Sequence, residues 1–389
     1  MHVLALNVGS SSLKFGLYRC AGAAGSACLL SGEAQGLGGP DASFQAADAH
    51  GATLVHDTCA MSNAGDVIGR ISQLLTERPT LKPDAIGHRV VHGGPRLREH
   101  CLIDARVTTA LETAATFARL HTPAALAVIR WAGQHFPGLP QVACLDTCFH
   151  ANMPPVASTL PLPREWRAAG LQRYGFHGLS CESIVHQLGQ QLPERLLIAH
   201  LGNGASITAV RQGISIDTSM GLTPTGGLIM GTRSGDLDPG VLVHLMREMK
   251  LGADAIENLV DHRSGLLGLS GISGDMRALR AAAATNKEAR LAIEMFCYRV
   301  AKELGAMSVA LGGVEQIVFT GGIGEHDAQV RAGVCERLSS LGVVLDLARM
   351  QQGHRQITSD TSPCVVQVLP SLEDEQIARH TAALCGLKA

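Results

Sequence analysis

The chain has 389 residues, 46% of them hydrophobic and 17% charged, with a net charge of −2. That length is too great for one ordinary core and predicts two domains, while the composition excludes a disordered or coiled-coil protein. With no Lys/Arg run and only 3% aromatic residues, nucleic acid is excluded as a partner, and no apolar stretch approaches the ~20 residues of a membrane span.

In chain order, the N-terminus carries no basic segment or cleavage pattern, so the protein is expected to be soluble and cytoplasmic. Leu4-Ala5-Leu6-Asn7-Val8-Gly9-Ser10-Ser11-Ser12-Leu13-Lys14-Phe15 reads as a strand, a small-residue turn and a second strand. Residues 21–64 are rich in Gly, Ala, Ser and Asp and show no chemistry. Ala85-Ile86-Gly87-His88-Arg89-Val90-Val91 is a β-branched strand that ends in Gly93-Gly94. Helical spacing follows over 104–118 and 121–134, then a short strand closes at Asp146. Leu197-Ile198-Ala199-His200-Leu201-Gly202-Asn203-Gly204-Ala205-Ser206 repeats the N-terminal hairpin, with Asn7 aligned on His200 and Gly9 on Gly202. A glycine-rich loop around Arg233 precedes a helix over 240–249. Lys287–Leu311 is a long helix whose stripe Leu291, Met295, Tyr298 and Leu304 is expected to face the core. Gln316-Ile317-Val318-Phe319-Thr320 is a strand running into Gly321-Gly322-Ile323-Gly324, with helical spacing over 325–341. The two echoed motifs predict duplicated α/β domains facing each other across a cleft. The eleven cysteines include no Cys-x-x-Cys pair and read as reduced thiols, with no zinc site.

Glycine-rich turns after strands leave backbone N–H groups open to anions. Four occur here, at Gly9, at Gly202-Asn203-Gly204, over 226–235 and at Gly321-Gly322. None matches the Walker loop or the dinucleotide fingerprint, so a phosphate site would be of another kind. Arg233, between Thr232 and Ser234, offers a planar fork of donors to phosphate oxygens. Lys14 either points back to a phosphate or faces water. Arg89 lies on an apolar strand, where a cation needs an anionic partner. Asp146 is placed to balance Arg89 or a metal. His177, in Arg173-Tyr174-Gly175-Phe176-His177-Gly178, is either structural or catalytic. No nucleophile elbow, His-Glu-x-x-His or Ser/His/Asp spacing is present, which disfavours a hydrolase.

Together these segments, with Asp217-Thr218-Ser219-Met220-Gly221, resemble the acetokinase family over nearly the whole chain and in the family's order. The resemblance implies duplicated ribonuclease H-like domains of the actin-like ATPase type. It implies domains over 1–147, completed by a C-terminal helix 374–389, and over 148–373. It implies a homodimer that transfers a phosphoryl group between ATP and acetate, with Mg²⁺ or Mn²⁺. By the same resemblance, Asn7 and Glu373 serve the metal. Lys14, His200, Leu201, Gly202, Asn203, Gly204, Asp275, Met276, Arg277, Gly322, Ile323, Gly324, Glu325 and His326 bind ATP or ADP. Arg89 binds the acyl substrate in a pocket of Val91, Leu120, Phe176 and Pro224. Asp146 is the catalytic carboxylate, and His177 and Arg233 stabilise the transition state. Two local departures stand out: His326 replaces the family's usual Asn, and Ser371-Leu372-Glu373-Asp374 replaces Thr-Asn-Glu-Glu. A propionate or butyrate kinase of the same family is one alternative. An actin-like switch ATPase is another, although it has no anionic acceptor for Arg89 to neutralise.

Overall fold

Thirteen strands form two sheets in the computed structural model, which describes residues 1–9, 12–22, 25–39, 41–119 and 121–386. The chain divides into two units. The first comprises Met1–Ala151, Gly178–Ser183 and Leu372–Ala389, and the second Asn152–His177 and Ile184–Ser371.

The first unit is built on strands β1 (His2–Val8), β2 (Ser12–Cys20), β3 (Ser26–Gln35), β4 (Ser43–Asp48), β5 (Thr53–Thr58), β6 (Ala85–Val90), β7 (Cys101–Leu102) and β8 (Gln141–Leu145). Their spatial order is β5-β4-β3-β2-β1-β6-β8-β7. β1 pairs antiparallel with β2 and parallel with β6, so it is central and buried on both faces. That double burial explains its nearly unbroken apolar run. The stretch 21–64, which reads as featureless, supplies β3, β4 and β5. Their alternation is masked by small and polar residues on partly solvated strands. One face packs Leu4, Leu6, Phe15 and Ile86 against Ile68, Ile71, Val128 and Ile129 of the helices Ala64–Thr76 and Thr122–His135. The other face receives the C-terminal helix Glu373–Leu384, through Ile377 and Ala378. Gly87 admits that helix, since a Cβ there would lie 2.3 Å from Thr381 Oγ1 and 2.5 Å from Ile377 Cγ2.

The second unit carries β9 (Arg195–Leu201), β10 (Ala205–Arg211), β11 (Ile214–Thr218), β12 (Gln316–Thr320) and β13 (Val365–Val368), in the order β11-β10-β9-β12-β13. The helix Lys287–Leu311 is started by the Asn286 side chain, which accepts from Ala289 N–H, and ended by Gly312 at φ 72°. Its buried stripe is Ala292, Phe296, Val300 and Leu304. Leu291 and Tyr298 are exposed, which corrects the predicted stripe. Leu304 is buried as expected, but the packed side also takes small residues such as Ala289, Ala292 and Ala301, which a search for large apolar residues passes over. The helical spacing over 325–341 is also interrupted. Gly321–His326 and Ala328–Cys335 are separate helices, because Asp327 leaves helical geometry and caps Val330 N–H.

Candidate active site

In the first unit, β6 delivers Arg89 and the end of β8 delivers Asp146. Leu6 faces His88 across the parallel pair β1–β6, so Asn7 and Arg89 come one residue later, at the carboxyl ends of both strands. Arg89 Nε and Nη2 donate to Asp146 Oδ2 at 2.8 and 2.6 Å, and Nη1 donates to Asn7 Oδ1 at 3.2 Å. The Asn7 amide donates in turn to Glu373 Oε2 at 3.1 Å and Asp374 Oδ1 at 3.0 Å. Asp146 is 1% exposed, and its second oxygen, Oδ1, accepts no hydrogen bond from the described residues. Burial raises its carboxyl to about 6 against the pull of Arg89, and neighbouring Glu373 adds to the rise. Burial also raises Asp374, opposed by the Asn7 hydrogen bond. Asp374 escaped the sequence reading, which singled out Glu373 alone from this run. Both carboxylates sit in the first turn of the C-terminal helix, where the helix dipole favours negative charge.

Val91 follows β6 and is buried. Lys14, opposite Asn7 in the β1–β2 ladder, is exposed and borders a cavity of about 420 Å³ that Asp374 also lines. Leu120, expected in the acyl pocket, lies outside the described residues, as do Ser10 and Ser11 of the first turn.

In the second unit, glycines bring four chain segments together. A Cβ on Gly231 would lie 2.3 Å from Asn203 Oδ1, and one on Gly274 would lie 2.7 Å from Gly231 O. A Cβ on Gly321 (φ 77°) would lie 2.8 Å from Leu201 O and 3.1 Å from His200 Nε2. Only glycine permits approaches this close. Beside these turns opens a cavity of about 1140 Å³. Eight of the residues expected at the nucleotide line it: Gly202, Asn203, Asp275, Met276, Arg277, Gly322, Ile323 and His326. His200, Leu201, Gly204, Gly324 and Glu325 are not among its lining residues. Glu325 instead fastens the turn, since its Oε1 accepts Gly321 N–H at 2.9 Å and Ser371 N–H at 3.0 Å. Arg280, locked onto Asp327 at 2.7 Å, also lines the cavity and went unnoticed in the sequence.

His177 takes φ 58° at the residue just before the helix Gly178–Leu188, stacks on His200 with centroids 4.1 Å apart and meets Ser206 Oγ at 3.0 Å. Its Nε2 and Arg233 Nη1 converge on Gly204, at 3.1 and 3.5 Å from the position of an added Cβ. Arg233 Nη1 also donates to Pro224 O at 3.4 Å. Phe176 and Pro224 are buried nearby in the chain. The two aspartates after Arg233 are structural. Asp236 Oδ1 accepts Gly227 N–H at 2.7 Å, and Asp238 caps the helix Pro239–Glu248.

The acetokinase family model matches residues 2–379. An acetate kinase of Deinococcus radiodurans is 42% identical over 99% of this chain and 98% of that protein. A propionate kinase structure from Francisella tularensis superposes with a TM-score of 0.92 at 36% identity, covering 98% of this chain and 99% of that one. The Porphyromonas gingivalis acetate kinase structure gives 0.87 at 36% identity, covering 99% of both chains. These neighbours share the duplicated actin-like ATPase fold. The chain belongs to the acetokinase family.

Proposed function

We propose that this chain transfers a phosphoryl group between ATP and acetate, giving ADP and acetyl phosphate. The observation that carries the assignment is Arg89, a guanidinium only 18% exposed and held by Asp146 and Asn7. A carboxylate acceptor is already ionised at neutral pH and needs no strong base. What it needs is relief from the repulsion between two anions, together with an in-line pose. Arg89 supplies the relief for the acceptor. An acetate oxygen attacks the γ-phosphorus, the bond to the bridging oxygen breaks, and ADP leaves with the electron pair. Arg233 and His177 neutralise charge on the transferring phosphoryl group. The cavity of about 1140 Å³ beside the glycine turns has the size for a nucleotide. Asp146 acts by orienting Arg89, because both of its hydrogen bonds from the guanidinium fall on one oxygen.

The donors near Asn7 fit a hard divalent cation. Glu373 and Asp374 offer carboxylate oxygens, the ligand type that Mg²⁺ and Mn²⁺ take. The Asn7 amide donates its N–H to both and accepts from Arg89 on its oxygen, and would add that oxygen to a cation by turning its amide. When bound, the cation would offset the negative charge of the phosphate oxygens. The residues given to the metal and the acyl group by the family resemblance keep those roles in this reading, as do the eight that line the nucleotide cavity, while Glu325 supports the turn beside it. The assay is purified chain with ATP, Mg²⁺ and each short acid, trapping acyl phosphate with hydroxylamine. Strong product with acetate supports the assignment. ATP hydrolysis without acyl phosphate rejects it.

Propionate is the second reading, favoured by the propionate kinase superposition at TM-score 0.92. Buried Val91, beside Arg89, is the residue we assign to the preference for the smaller acid.

A homodimer fits the surface of the second unit. The helices Pro239–Glu248 and Ala253–His262 bury none of their residues, and Leu237, Val241, Val243, Met246 and Met249 are exposed together. Sedimentation of Met246→Glu is expected to shift the protein toward monomer. No described helix is long and apolar enough to cross a membrane, and we assign the enzyme to the cytoplasm, where its eleven thiols stay free.

A further inference from the structure

Among the described residues, His100, Glu182 and His380 form the one group of metal-ligating side chains whose donor atoms all lie within 4.8 Å of one another. All three belong to the first unit. The hydrogen bonding argues against a metal there. Leu145 N–H donates to His100 Nδ1 at 3.0 Å, so the ring proton resides on Nε2. That nitrogen faces Glu182 Oε1 at 3.5 Å. Coordination through Nε2 would move the proton to Nδ1, against the Leu145 N–H. The group is instead a clasp in which one carboxylate holds two imidazoles. Glu182 Oε2 lies 2.6 Å from His380 Nε2, and the two rings pack with centroids 3.9 Å apart.

Each arm of the clasp ends at a residue of the site. Leu145 immediately precedes Asp146. Glu182 lies one turn after Gly178, whose N–H donates to Asp146 O at 2.8 Å. A Cβ on Gly178 would lie 2.3 Å from that same oxygen, so the helix start rests directly on Asp146. His380 lies two turns after Glu373 on the C-terminal helix, which puts both on one helix face. Ser183, beside Glu182, accepts Leu372 N–H at 3.2 Å at the start of that helix. Glu182 therefore links the backbone of Asp146 to the helix that offers Glu373 to Asn7.

We propose that Glu182, acting through His100 and His380, is a positioning residue for phosphoryl transfer that holds Asp146 and Glu373 in register with Arg89 and Asn7. Burial alone would raise the Glu182 carboxyl, but its two histidine partners hold it down at about 2. It is thus a carboxylate throughout the working range. Burial keeps His100 below the usual histidine value, which matches its role as a neutral donor.

This inference rests on the acyl kinase reading, so the wild-type chain is assayed first. If the wild type makes no acyl phosphate, that reading falls and the role of Glu182 falls with it. With an active wild type, Glu182→Gln removes the charge and turns an amide N–H toward a histidine N–H. We expect kcat to fall about 10²-fold and the acetate KM to rise. The ATP KM should rise by less than the acetate KM, because the cavity of about 1140 Å³ is lined entirely by the other unit and Glu373 touches ATP only through the metal. Glu182→Asp, which keeps the carboxylate, should recover at least about tenfold of the lost rate. A kcat within about threefold of wild type overturns the proposal. So does an equal rise in both KM values, or a loss that aspartate does not recover. If Glu182→Gln does not fold, His380→Asn should lower kcat by about tenfold, and an unchanged rate in that variant overturns the proposal as well.

Discussion

The two sheets share one five-strand plan and spend it differently. In the first unit β3-β2-β1-β6-β8 is paired antiparallel, antiparallel, parallel, parallel, and in the second unit β11-β10-β9-β12-β13 repeats that pattern step for step. The register is also shared: Leu6 faces His88 in one, and Ala199 faces Phe319 in the other. One residue past Leu6, beside Asn7, the first sheet places Arg89. The equivalent position beside His200 in the second sheet holds Thr320, small and fully buried. After Thr320 the chain turns at once into the helix Gly321–His326, which leaves backbone and open volume. After Val90 no helix follows, and the strand end keeps its charged side chain. A duplicated scaffold thus offers the same two strand ends twice. Side chains make one pair a charged acceptor site, and glycines make the other a cavity for a larger ligand.

The sharpest way to break this division is to remove the cation of the second unit's loop. Arg233→Ala should lower kcat by about 10³–10⁵ with much less change in KM, as expected for an arginine that stabilises transferring phosphoryl charge. A loss confined to KM in steady-state kinetics would defeat the assignment.

The acceptor side is tested through Asp146. Its carboxyl is raised by burial from an ordinary 3.8 to about 6. Between those values the folded chain binds a proton that the unfolded chain releases. Its contribution to stability is therefore fully present below about pH 4 and is lost as pH rises through 6. Function runs the other way, because only the carboxylate holds Arg89. The pH profile of kcat/KM should show an acidic limb near 6 in the wild type. Asp146→Asn should remove the limb and lower the plateau about 10²-fold. A limb that persists in the variant belongs to another group.

A smaller effect separates the units by ligand. Ile323 lines the nucleotide cavity, and Ile323→Trp should raise the ATP KM about tenfold, roughly 1.4 kcal/mol, with the acetate KM unchanged. A matching rise for acetate would mean that the two sites are not divided as the sheets suggest. The smallest expected change is in acid choice. Val91→Ala should shift the propionate-to-acetate ratio of kcat/KM by about 1 kcal/mol, or about fivefold, toward propionate. An unchanged ratio would put the acyl pocket elsewhere.

Much of this division is readable from the chain itself. Arg89 stands out because a cation on an apolar strand demands an anion, and Asp146 closes a neighbouring strand. The glycine turns are equally plain, since only glycine tolerates the Gly321 backbone at φ 77° against Leu201 O. What the sequence conceals depends on packing. Leu291 and Tyr298 face outward while Ala292 and Phe296 are buried, an orientation set by what the helix packs on and not by the size of its apolar residues. Strands β3, β4 and β5 carry too little apolar contrast to be seen.

Local rules thus determined the duplicated strand-and-turn plan, the family and the residues with unusual chemistry. Periodicity and backbone demands are written in neighbouring positions, so the sequence alone carries them. Tertiary structure decided which distant side chains meet. Asn7 reaches Glu373 and Asp374 across more than 360 positions, and Glu182 joins His100 to His380. No spacing rule records such pairs, because their separation in sequence is set by the path of the chain and their contact by the packing of a helix on a sheet.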